Sequence, residues 1–138
     1  MGKRLKIVMV LAISLLLITA VSALIAGILF VSDPSGQKMG MSTAYLASSP
    51  FSTYLVPGWV LLIVNGLMNV AAAAACIIRL KHYPLFVILQ GTVLSGWIII
   101  QVILVQDLNV LHYSMLSIGL ILICCGIILQ KHHKNKKQ

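Results

Sequence analysis

Four apolar blocks, each free or nearly free of charge, leave this chain few ways to fold. Ile7 to Val31 holds no charged residue in 25 positions, and further blocks run over about 59-80, 85-105 and 113-130. A bilayer core offers no water to backbone N–H and C=O groups, so an apolar run of that length closes its hydrogen bonds on itself as a transmembrane helix. At 1.5 Å per residue the first block reaches about 38 Å, more than the ~30 Å of hydrocarbon, so it tilts or projects beyond the lipid. Only 9% of residues are charged, where a soluble domain carries about 25%. The expected fold is all-α, an integral membrane four-helix bundle forming one domain over 1-138.

The basic residues set the expected orientation. Lys3, Arg4 and Lys6 precede the first block, Arg79 and Lys81 close the second, and Lys131, Lys134, Lys136 and Lys137 follow the fourth. Only Lys38 lies elsewhere, so four crossings put nine of ten basic residues on one side. Cytoplasmic segments carry such an excess, which predicts a multi-pass protein with both termini cytoplasmic and both acids, Asp33 and Asp107, outside. The same clustering accounts for the +8 net charge without nucleic acid. The basic tail 131-138 would meet anionic headgroups at about 1 kcal/mol per basic residue. Val21-Ser22-Ala23 has the small residues of a signal-peptide cleavage site, but the apolar run continues eight residues past Ala23, and the block is read as a retained anchor.

Residues 32-58 are the one long segment that is neither greasy helix nor basic tail. Asp33-Pro34-Ser35-Gly36 is turn chemistry, Ser42 stands where a cap for a short helical turn belongs, and Pro50 stops that turn. Phe51, Tyr54, Leu55 and Val56 are too apolar for a solvated linker, and tyrosine favours the headgroup zone. The expectation is a structured extracytoplasmic loop between helices 1 and 2, a cap over the helix ends whose contacts come from Asp33, Tyr45, Phe51 and Tyr54. The alternative is a mobile loop anchored by a few aromatics.

Inside the spans the polar residues are neutral. Asn65 and Asn69 are four apart and share a face with Ala72, Ala73 and Cys76, while Gln90, Trp97 and Gln101 share a stripe on the third span. Asn65 and Gln101 fall at similar depth, where they can hydrogen-bond across an interface as helix glue, at about 0.6 kcal/mol per pair. The functional alternative has Asn65, Asn69, Trp97 and Gln101 lining an outward-open, largely apolar pocket beneath the loop. Small residues at Ser22-x3-Ala26, Ala23-x3-Gly27, Gly91-x3-Ser95 and Thr92-x3-Gly96 invite close helix approach.

Reactive chemistry is sparse. Cys76, Cys124 and Cys125 fall within spans and form no CxxC pair. His82, His132 and His133 lie at the basic surface and His112 in the short outer loop, so a metal site would need His112, Asp33 and Asp107 to converge. No acid or histidine falls inside a span, which argues against a catalytic triad and against proton-coupled pumping. No catalytic residue, metal or cofactor is expected.

The segments Asp33-Pro34-Ser35-Gly36, Met39-Gly40-Met41, Ser49-Pro50-Phe51 and Tyr54-Leu55-Val56-Pro57-Gly58, with Asn65-Gly66 and Gly96-Trp97 through Gln101, carry a resemblance. Over nearly its whole length the chain resembles small bacterial four-span membrane proteins. The resemblance implies a bacterial inner (cytoplasmic) membrane and a shared outer-loop architecture, and it supplies no activity. The functional expectation is a non-enzymatic membrane protein, either an accessory or assembly subunit or a binder of a lipid-like or quinone-like ligand. Its expected partners are the lipid bilayer, another membrane protein or a second copy of the chain. The competing expectation is a small oligomeric transporter or channel.

Overall fold

Backbone groups denied water close on their own segment, and among the described residues the chain is helical with no strand. A computed structural model describes residues 2–105 and 110–137, with the backbone alone at 45, 105, 111, 136 and 137. Four helices are long and apolar enough to cross a membrane. The first is Lys3–Ser32, the second Leu55–Ile77, the third Tyr83–Val105 and the fourth Val110–Lys137.

Helix ends differ from the expected ones for local reasons. The second helix starts at Leu55, ahead of Trp59, with Pro57 and Gly58 inside its first turn. Proline is tolerated there because the first N–H groups of a helix have no intrahelical acceptor. The helix ends at Ile77, and the chain then turns through Arg79 in a left-handed conformation, φ 53°. The fourth helix takes in His112 and Tyr113 at one end and continues through the basic stretch to Lys137 at the other.

Glycine decides which helices pair. A Cβ added at Gly27 would lie 2.8 Å from Leu62 Cβ and 2.9 Å from Leu62 Cα, and one at Gly58 would lie 2.8 Å from Phe30 Cβ. At Gly66 it would meet Leu24 Cδ2 at 2.8 Å. These three glycines seat the second helix on the first. In the other pair, a Cβ at Gly91 would lie 2.7 Å from the Gly119 carbonyl oxygen, and one at Gly119 would strike the Ser95 hydroxyl. The fold is thus two tight hairpins, first with second and third with fourth. Gly96, expected in a similar role, faces open space.

The hairpins join at one end. Met9, Ala12 and Leu16 of the first helix, Ala72, Ala73, Ala75 and Cys76 of the second, Tyr83 and Val87 of the third, and Leu122, Cys125 and Leu129 of the fourth form one buried cluster. The start of the first helix, the Arg79–Lys81 turn and the end of the fourth all gather there, so we call it the basic end. At the opposite, loop end the buried cluster is Phe30, Leu46 and Tyr54, with Ala26, Met41, Phe51 and Leu61 against it. All seven belong to the first hairpin and its loop. The third and fourth helices do not join it.

Gly27→Leu should lower the thermal midpoint in detergent, followed by circular dichroism, by the ~1–3 kcal/mol typical of overpacking. Gly96→Ala should hold or raise it, by up to about 1 kcal/mol, because alanine is the better helix former and has room. Equal losses at both positions would contradict the glycine seam.

Candidate functional site

The hairpins share a buried core at the basic end, and space lies between them at the other. It is a cavity of about 310 Å³. Its walls come from the first helix between Thr19 and Phe30, the second between Pro57 and Asn65, the third between Leu94 and Leu104, and the fourth at His112 and Met115. Met39, Met41, Leu46, Ser49, Phe51 and Tyr54 line it from the loop side. Thr19, Asn65 and Leu94 lie nearest the basic end of their helices among these residues, so they form the floor. Ser22, Met39 and Ile100 are exposed members of the lining, which brings the rim to the outer surface of the bundle.

The loop that meets this cavity is held by its own turn chemistry. Asp33 Oδ1 accepts from the Ser35 hydroxyl at 2.6 Å and the Ser35 N–H at 3.3 Å, and Oδ2 accepts from the Lys38 N–H at 3.1 Å. The Ser35 hydroxyl first, and the Lys38 N–H second, hold the Asp33 carboxyl below its ordinary pKa. Its turn is therefore fully formed at neutral pH and loosens only as pH falls below the usual carboxylate range. The turn brings Gly36 (φ 82°) under the Tyr54 ring, where a Cβ would lie 2.7 Å from Tyr54 Cε2. Tyr54 also donates its N–H to the Pro34 carbonyl at 2.8 Å and its hydroxyl to the Ser42 carbonyl at 2.9 Å. Its ring stacks on Phe30 with centroids 4.7 Å apart, and burial pushes its phenol up.

The expected site residues are sorted by this geometry. Asn65, Trp97 and Gln101 line the cavity together with Phe51 and Tyr54. Asp33 does not; it is the turn residue just described. The side chain of Tyr45 lies outside the described residues. Asn69 is not in the lining either, since its Nδ2 donates back along its own helix to the Asn65 carbonyl at 2.6 Å. The second helix widens into a π-helical stretch over Leu61–Leu67, where the Met68 N–H reaches back to the Ile63 carbonyl. Such single π turns interrupt the regular α ladder and recur at functional sites.

Polar balance sets this floor apart from ordinary helix glue. The expected hydrogen bond between Asn65 and Gln101 is not formed. Asn65 is 1% exposed, and neither its Nδ2 nor its Oδ1 has a partner among the described residues. Thr19 is fully buried and its hydroxyl is likewise unpartnered among them. An unsatisfied buried amide costs about 1–3 kcal/mol, and lipid cannot relieve it. Beyond the floor, Asn69 Oδ1 and Gln90 Oε1 are in the same condition, so the middle of the bundle carries a polar layer from three helices.

One residue that the sequence placed in the outer loop completes the lining. His112 sits buried in the first turn of the fourth helix, on the cavity wall, not in an outer loop. Among the described residues no three His, Cys, Asp or Glu side chains converge as metal ligands, and Asp107 lies outside them. Cys76 and Cys125 are buried free thiols, while Cys124 points outward. Comparison of the chain with protein-family models, with curated proteins and with solved structures found no match.

Asn65→Leu should raise the thermal midpoint of the delipidated protein in detergent, because it removes an amide whose unmet hydrogen bonds cost about 1–3 kcal/mol. A lower midpoint would mean that the amide holds a bond and that the floor is satisfied.

Proposed function

We propose that the protein is a non-enzymatic, multi-pass component of a bacterial cytoplasmic membrane that binds a lipid-like or quinone-like ligand in the loop-end cavity. One observation carries the reading: a largely apolar cavity of about 310 Å³ whose floor includes a buried, unpartnered amide at Asn65. Small-molecule sites are apolar cavities of about 300–1,000 Å³ with a few convergent polar groups. This one is at the small end, so it holds a ring or a head with the start of a chain, the remainder lying in the membrane.

Access supports a ligand that dissolves in lipid. Ser22 and Ile100 on the rim sit well inside their apolar helices, at heights where the outer surface of a spanning helix meets acyl chains. With the basic end in the cytoplasm, the cavity occupies the outer half of the membrane. The loop 33–54 then serves as a structured cap, with Phe51 and Tyr54 over the ligand and Asp33 fixing the turn. An accessory role, presenting that ligand or the cap to another membrane protein, follows from the same surface. A channel through a single chain is disfavoured by the four-helix cluster of alanines, leucines and Tyr83 at the basic end, which leaves the bundle filled there.

Native mass spectrometry of protein extracted gently from its membrane should find a stoichiometric small adduct. Ala26→Trp, which puts an indole into the cavity wall, should abolish it. An adduct retained in that variant, or none in the wild type, would count against the binding reading.

A further inference from the structure

The polar inventory of the cavity restricts what a ligand can carry at its inner end. We infer that the ligand has an uncharged, oxygen-bearing head, a carbonyl or hydroxyl on an apolar body, and that Asn65 and Thr19 receive this head at the floor. The inference rests on the cavity being a ligand site.

Among the described residues no Asp, Glu, Lys or Arg lines the cavity. A phosphate or ammonium group brought to the floor would lose its hydration and find no opposite charge there, a penalty of many kcal/mol for an isolated ion. The nearest acid and base in the loop are engaged elsewhere: the Asp33 carboxylate in its own turn, and Lys38 Nζ with the Ser32 hydroxyl at 3.3 Å. What the floor does hold is neutral and two-handed. The Asn65 amide offers a donor and an acceptor, and the Thr19 hydroxyl can act as either. Both are more than nine-tenths buried and unpartnered among the described residues. A carbonyl accepts from that set and a hydroxyl can do both, so a quinone or a diacylglycerol fits where a phospholipid head does not.

Tryptophan fluorescence separates these cases. The chain has two tryptophans, Trp59 and Trp97, and Trp59→Phe leaves Trp97 as the single indole, on the cavity wall. In detergent micelles at fixed pH the full-length variant is titrated with three probes: a short-tailed benzoquinone, a diacylglycerol with brominated chains, and a phosphatidate with the same chains. The expected result is saturable quenching by at least one neutral probe at a concentration tenfold or more below that needed for phosphatidate. Asn65→Leu or, with less change of shape, Thr19→Val should weaken the neutral probe about tenfold and leave phosphatidate unaffected. Quenching by the quinone alone or the diacylglycerol alone identifies the source of the head. Phosphatidate that binds as tightly as the neutral probes, or neutral binding indifferent to both substitutions, would overturn this inference and leave the cavity as a ligand site. Saturable quenching by none of the three would overturn both.

Discussion

Lipid tails solvate leucine as well as a neighbouring helix does, so helix association in a membrane depends on how closely backbones can approach. In this chain the small residues are distributed unevenly along the bundle. Gly27, Gly58 and Gly66 close the first hairpin, and Gly91, Gly119 and Gly126 close the second. Ala12, Ala72, Ala73 and Ala75 of the first hairpin share one buried cluster with Tyr83, Val87, Leu122, Cys125 and Leu129 of the second at the basic end. Among the described residues the buried cluster at the loop end draws only on the first hairpin and its loop, with Phe30 stacked on Tyr54. The cavity is the geometric remainder of that distribution.

The energetics of the floor follow from the same arrangement. Asn65 is a lining residue of the cavity, in a widened π turn, with its own backbone carbonyl already accepting from Asn69. Its amide therefore carries an unmet demand of about 1–3 kcal/mol that a ligand oxygen would satisfy. On the proposed reading the site is less stable empty than full, a familiar compromise between stability and function.

Much of this was legible in the residues and some was not, for identifiable reasons. Charge-free length reveals four helices long enough to span whatever the packing detail. Of the stripe Gln90, Trp97 and Gln101 that the seven- and four-residue spacings grouped, Gln90 does not line the cavity, while Trp97 and Gln101 do. Their meeting with Asn65 followed from depth. The role of Asn69 did not, because regular 3.6-residue periodicity takes no account of a π turn and because an asparagine can bond to its own helix. Thr19 gave no signal: a threonine inside an apolar helix ordinarily bonds to a carbonyl of the preceding turn, and nothing in its neighbours announces that this one does not. His112 was assigned to a loop because the fourth apolar block was counted from Tyr113, although Asn109, a residue type that favours helix N-caps, stands just ahead of Val110 in the sequence. Asp33 has the residue type of a surface contact, yet its three hydrogen bonds are all local.

The most direct measurement is a crystal structure of the protein purified with its own lipids and crystallised from a lipid phase. The expected result is ligand density between the hairpins at the loop end, with an oxygen within hydrogen-bonding distance of the Asn65 amide. Hairpins closed upon each other along their whole length, with Asn65 bonded to Gln101 across the seam, would contradict it.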